Sequence, residues 1–106
     1  MHPEVSRILR QMAAAGKPIG ALCIAPVTLT KALSDKGPQV TIGNDKETAA
    51  AIEAMGGRHV ECSVDMIHLD QKNKIVTTPA YMLGPGIKEI AAGIEKLVDK
   101  VLSMIE

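Results

Sequence analysis

The residue best placed for covalent chemistry is the cysteine in Gly20-Ala21-Leu22-Cys23-Ile24-Ala25-Pro26. An apolar segment runs into it and a helix begins behind it. A nucleophile elbow is written this way: a strand ends, the chain turns sharply, and a reactive side chain sits at the apex. The positions two before and two after the nucleophile, Ala21 and Ala25, are then small because strand and helix nearly touch there. A thiol at a helix N-terminus feels a positive partial charge that favours the attacking thiolate. A buried core thiol would show the same local pattern, since free cysteine packs as a small hydrophobe. Spacing alone leaves both readings open.

Other groups are weighed against that cysteine. His59 and His68 alternate within apolar strands, and neither has a motif-defined relation to Cys23, so they read as edge or surface histidines rather than as its base. Thr77-Thr78-Pro79 ends a strand expected to be central and parallel, on the side of the sheet where α/β proteins bind ligands. It reads either as pocket lining or as strand termination by proline. Gly84-Pro85-Gly86 reads as a turn before the last helix rather than as an anion cradle. No His, Cys, Asp or Glu set, Asp65 and Asp70 included, has metal-ligand spacing, so neither a metal nor another cofactor is expected. Cys23 and Cys62 lack a CxxC arrangement, which leaves no zinc or thioredoxin motif and suits a reduced compartment, the cytoplasm or an organelle matrix.

The elements that must position these residues follow from periodicity. Val5, Ile8, Leu9 and Met12 predict an opening helix that starts near Pro3 and stops at Gly16. Ile19 to Leu22 is a short buried strand, and a second helix carries Val27, Leu29, Ala32 and Leu33 up to Lys36-Gly37-Pro38. Val40-Thr41-Ile42 is a second strand, and Asp45 caps an alanine-rich helix, Thr48 to Met55, that ends at Gly56-Gly57. His59 to Cys62 and Met66 to Asp70 are further strands, and Asp70-Gln71-Lys72-Asn73-Lys74 is a hairpin turn into Ile75 to Thr78. Ile87 to Ile105 is a long amphipathic helix, with the charges from Lys88 to Lys100 on its solvated face. Strands alternating with helices predict an α/β sandwich with a mostly parallel sheet.

Composition bounds the function. The 106 residues form one domain at most, with 12 basic and 12 acidic side chains. No net field draws nucleic acid or an anionic membrane surface, and Tyr81 is the lone aromatic, so no stacking platform exists for single strands. The polar N-terminus lacks a signal-peptide core, and no apolar run approaches the ~20 residues that span a bilayer.

Four motifs carry a resemblance to a known family: Gly16-Lys17-Pro18-Ile19-Gly20, Cys23-Ile24-Ala25-Pro26, Val40-Thr41-Ile42-Gly43, and Asn73 to Met82. Through them the chain resembles the ElbB family of enhancing-lycopene-biosynthesis or glyoxalase proteins, in the class I glutamine-amidotransferase-like, PfpI-type superfamily. The resemblance runs along the whole chain, residues 1–106, but matches only the C-terminal half of the family's flavodoxin-like three-layer sandwich. It implies a single partial domain, Cys23 as the elbow nucleophile, and the Ile24 backbone N–H as oxyanion donor. It raises the pocket-lining reading of Thr77, Thr78 and Pro79. The implied activity is glutathione-independent conversion of reactive α-oxoaldehydes to hydroxy acids. The alternative is a non-catalytic redox or carbonyl sensor, or an isoprenoid-pathway scaffold, using the same cysteine.

Amidotransferase activity is not implied, because it needs a histidine and a glutamate at fixed places after the cysteine. Gly43 or Asn44, and Ile24, stand where relatives carry a histidine. Activation then rests on the helix dipole and an external carboxylate, which predicts a slow enzyme and an inactive isolated half. Half a sheet also predicts an uncovered strand edge, and with it a homo-oligomer or another association through that edge.

Overall fold

Alternating apolar segments fold into the expected helices and strands. The computed structural model describes residues 3–80 and 86–105. In chain order the elements are α1 (Pro3–Ala14), β1 (Ile19–Leu22), α2 (Ala25–Ala32), a 3-10 turn (Ser34–Lys36), β2 (Gln39–Val40), α3 (Lys46–Ala54), β3 (Arg58–His59), β4 (His68–Asp70), β5 (Ile75–Thr78) and α4 (Ile87–Ser103). Of Gly84-Pro85-Gly86, only Gly86 lies within the described residues, in extended backbone before α4.

β5 is the spine of the sheet. β1 pairs with it in parallel, Ile19 beside Ile75 and Leu22 beside Thr78, while β4 runs antiparallel on its other side. The hairpin turn between β4 and β5 is the predicted one. The Asp70 carboxylate accepts from the Asn73 N–H (3.2 Å) and side-chain amide (2.9 Å), and Lys74 takes a positive φ of 58°. β2 and β3 form a separate parallel pair.

β2 is shorter than predicted for a physical reason. Past Val40 the backbone donors find side-chain acceptors: the Thr41 N–H goes to Thr77 Oγ1 (3.0 Å) and the Ile42 N–H to His59 Nε2 (3.3 Å). With the Gln39 N–H donating to Asp70 Oδ2 (2.8 Å), the Thr41 bond ties the β2–β3 pair to the β4–β5 hairpin without a continuous ladder.

Helices cover both faces. On one face α1, α2 and α3 close a core of Ile19, Ala21, Leu29, Leu33, Val40, Ile42, Ile52 and Ile75; on the other, α4 closes a smaller one around Val64, Ala80 and Ile90. α1 ends in a Schellman turn, with Lys17 N–H donating to the Met12 carbonyl (3.0 Å) and Gly16 at φ 72°. Its Arg10 donates to the Ala32 carbonyl (2.8 Å) and pairs with Asp35, whose carboxyl the guanidinium holds below the usual range. Asp45 caps α3 as predicted, accepting from the Thr48 N–H.

The amphipathic pattern of α1 fits its observed placement only in part. Leu9 and Ala13 pack on the core, while Val5, Ile8 and Met12 remain exposed.

His68 links β4 to β2 through Gln39 (3.3 Å). Burial pushes its pKa below the ordinary histidine value, and the charge of Asp70 offsets this in part. The folded state therefore binds fewer protons here than the unfolded chain, so stability is lost as pH falls below about 6.5. Denaturation midpoints between pH 7.5 and 5.5 should decline in the wild type and decline less in His68→Gln.

Candidate active site

The site begins where β1 runs out. Leu22 is the last ladder residue, and Cys23 then adopts φ 62°, a left-handed backbone that costs a non-glycine residue roughly 1–3 kcal/mol. Two hydrogen bonds hold it there. The Cys23 N–H donates to the Thr78 carbonyl at 3.1 Å, extending the β1–β5 ladder by one residue, and the Val27 N–H donates to the Ile24 carbonyl at 3.0 Å, closing the first turn of α2. Pro26 stands in that turn, where a missing N–H is no loss.

The Cys23 side chain is half-buried beside the cluster of Val64, Ala80 and Ile90, with Leu22 and Ile94 as neighbours. Ile24 is the N-cap of α2, with an exposed side chain. Among the described residues no acceptor takes its N–H, as expected for the first orphan donor of a helix. Cys23 and the Ile24 N–H therefore sit together at the carboxyl end of β1.

Other candidates fall elsewhere. Ala21 is buried as predicted, but Ala25 is exposed, so packing within the described residues does not require its small size. Thr77, Thr78 and Pro79 are all buried. The Thr77 hydroxyl accepts from Thr41, and the Thr78 hydroxyl donates to the Met66 carbonyl (2.7 Å), so what reaches the elbow is the Thr78 carbonyl rather than a polar side chain. His59 Nε2 is taken by the Ile42 N–H and His68 faces Gln39; no histidine or carboxylate among the described residues hydrogen-bonds the Cys23 thiol. Cys62 is a second free thiol, which burial, with a smaller contribution from Asp65, pushes to a higher pKa. Among the described residues no group of three metal-ligating side chains converges. A groove of about 440 Å³ opens at the opposite end of β1, between Gly16, Lys17, Lys74 and Met104, and takes no part in the chemistry at Cys23.

Sequence reasoning missed the packing behind the Cys23 turn. Gly93 of α4 packs against Val64 and the Thr78 hydroxyl, and Thr78 in turn holds Cys23. The signal was there, as a glycine inside an otherwise strong helical pattern usually marks close packing.

Comparison with known proteins places this geometry in context. The human glutamine amidotransferase-like class 1 domain-containing protein 3, mitochondrial, is 43% identical over 113 residues, covering 98% of this chain and 41% of its own. The rat ES1 protein homolog, mitochondrial, is 42% identical, covering 98% and 42%. The zebrafish ES1 protein, mitochondrial, is 28% identical over 94 residues. The chain thus spans less than half the length of these relatives. No family model matches it. Among solved structures, an isoprenoid biosynthesis protein with an amidotransferase-like domain from Ehrlichia chaffeensis superposes with a TM-score of 0.89 at 31% identity, over 98% of this chain and 48% of that one. The α/β architecture is therefore the amidotransferase-like, flavodoxin-like fold, and the chain's relatives are glutamine amidotransferase-like class 1 domain proteins.

Proposed function

We propose that Cys23 is a nucleophile for small reactive carbonyls, with α-oxoaldehydes as the substrate class, in an ElbB-like protein. The observation that carries this reading is the left-handed backbone of Cys23 at a strand–helix junction, beside the N–H of Ile24, which no acceptor among the described residues takes. This costly conformation holds the side chain out of a regular strand or helix. The thiolate adds to the aldehyde carbon, and the Ile24 N–H stabilises the oxyanion that forms. Protonation of that oxygen gives a thiohemiacetal. A base then moves the proton from C1 to C2, yielding the 2-hydroxy thioester, and water releases the hydroxy acid and the thiol. The net reaction adds one water, so no oxidant or reductant is consumed. Of Thr77, Thr78 and Pro79, Thr78 borders this site through its carbonyl.

The proton shift needs a base, and none is paired with Cys23 among the described residues. That observation favours a second reading for this chain: Cys23 is modified once, as a carbonyl or redox sensor, unless a group from outside the chain supplies the base. Either role suits a reducing cytoplasm or mitochondrial matrix, and the mammalian relatives bear mitochondrial names. No helix among the described residues is long and apolar enough to cross a membrane.

One experiment separates these readings. The chain, Cys23→Ser and Cys62→Ser are incubated with methylglyoxal, and intact mass and lactate are both followed. Repeated lactate formation that is lost in Cys23→Ser supports the enzyme, and a single adduct on Cys23 without lactate supports the sensor. Equal modification of wild type and Cys23→Ser rejects both.

A further inference from the structure

The parallel pairing of β2 and β3 ends on a side chain. The Arg58 N–H donates to the Pro38 carbonyl (2.8 Å), and two residues on the Val60 N–H donates to the Val40 carbonyl (2.9 Å). Donors in a parallel ladder alternate between the strands at even spacing, so the next rung would run from the Ile42 N–H to the Val60 carbonyl. The Ile42 N–H goes instead to Nε2 of His59, at 3.3 Å. An imidazole thus takes the place of a backbone carbonyl. The next donor, the Gly43 N–H, turns back to the Thr41 hydroxyl (3.1 Å).

This rung carries a chemical condition that a carbonyl does not. A ring nitrogen that accepts from an N–H holds no proton of its own, so His59 is neutral here, with its proton on Nδ1. A proton taken up at Nε2 turns the acceptor into a donor, and two N–H groups then face each other. Ile42 is fully buried, and among the described residues no other acceptor takes its N–H. An unpaired buried donor is costly, so the end of β2 must then leave β3 to reach water. Thr41 limits how far it goes, because its N–H is held from β5 by the Thr77 hydroxyl (3.0 Å).

We propose that His59 is a pH-operated clasp on the end of β2: neutral, it holds the Ile42–Gly43 segment, and protonated, it releases it. The charged group facing it from α3 is Glu53, whose carboxylate accepts from the His59 backbone N–H (2.6 Å). Arg58 and Glu61 flank it in the chain, and β2 (Gln39–Val40) brings no ionisable side chain. His68 meets the Gln39 side chain at the opposite end of β2 (3.3 Å), where Asp70 accepts from the Gln39 N–H. The clasp uses no group at Cys23 and stands independently of the chemistry proposed there.

The test is amide exchange of the whole chain, read residue by residue between about pH 8 and pH 5, the range in which histidine changes charge. His68→Gln serves as the background, so that the other histidine on β2 does not titrate. With the chemical pH dependence of exchange divided out, Ile42 should lose protection roughly tenfold toward the acid end, the loss of one bond to a buried donor. Thr41 and Val60 should keep theirs. Adding His59→Gln supplies an amide oxygen that accepts at every pH, so Ile42 protection should then stay level. Glu53 remains in that variant, and any effect of its own titration would still show. Nitrogen NMR of the wild-type imidazoles gives a second reading that needs no substitution: at about pH 8 the His59 proton should sit on Nδ1. A proton on Nε2 there, Ile42 protection that stays level in the His68→Gln background, a loss shared by Thr41 and Val60, or the same loss with His59→Gln would overturn the proposal.

Discussion

Replacing Gly93 by alanine is expected to destabilise the fold by about 3 kcal/mol, the upper end for overpacking a close contact. A methyl at Gly93 would fall well inside contact distance of the Val64 carbonyl oxygen and 2.9 Å from Thr78 Oγ1. Both are fixed: the first is backbone, and the second is held by its bond to the Met66 carbonyl at 2.7 Å. α4 must lift from β5 or that bond must break. In an ordinary exposed helix the same change would stabilise by up to ~1 kcal/mol, because glycine is the poorer helix former. The sign of the effect therefore decides the matter. For a chain of this size each kcal/mol moves the melting temperature by roughly 4–8 °C, so a fall of more than ~10 °C is expected. A melting temperature equal to or above that of the wild type would mean that α4 does not sit on β5 this closely.

The same substitution reaches the candidate site. Thr78 carries both the hydroxyl under Gly93 and the carbonyl that fixes the Cys23 N–H. An α4 that lifts should therefore loosen the left-handed turn at Cys23 and slow adduct formation there, at temperatures where the variant is still folded. Packing on one face of the sheet and backbone strain at its carboxyl end belong to one device.

How far the sequence could be read depended on whether an element's partners lie near it in the chain. β1 and β5 are legible to the residue, because a short apolar run and a β-branched run bounded by Pro18, Lys74 and Pro79 have few alternatives. The turn at Asp70 to Lys74 and the Asp45 cap are legible because their chemistry is local. The sharp turn from β1 into α2 at Cys23 was legible from Gly20 to Pro26, although the expected squeeze on Ala25 is absent. The ends of β2 were not legible, because their donors go to Thr77 and His59, which lie far along the chain. Thr77 and Thr78 read as pocket lining or as a strand end stopped by proline, and only the assembled sheet spends their hydroxyls on Thr41 and Met66. Periodicity gave α1 its apolar stripe but could not say that Val5, Ile8 and Met12 lie uncovered, since that depends on what stands beside the helix.

Asp70→Ala is expected to cost about as much as Gly93→Ala, by a different mechanism. The carboxylate is only 4% exposed, and it accepts from the Gln39 N–H at 2.8 Å and from the Asn73 backbone and side chain at 3.2 and 2.9 Å. One side chain thus closes the β4–β5 turn and holds the start of β2 to it. Truncation leaves the Gln39 and Asn73 donors without their acceptor, at roughly 1–3 kcal/mol for each buried group, so a total of about 3 kcal/mol is expected. Asp70→Asn keeps the shape and one carbonyl oxygen but turns an amide donor toward these same donors, and should fall between wild type and alanine. Urea denaturation checks this as a lower midpoint with an unchanged slope. A loss under ~1 kcal/mol in Asp70→Ala would mean that the turn and the β2 junction hold without the carboxylate. Because the Asp70 charge also opposes the effect of burial on His68, the alanine variant should lose stability more steeply than the wild type as pH falls below about 6.5. A packing defect alone would shift the curve without changing that slope.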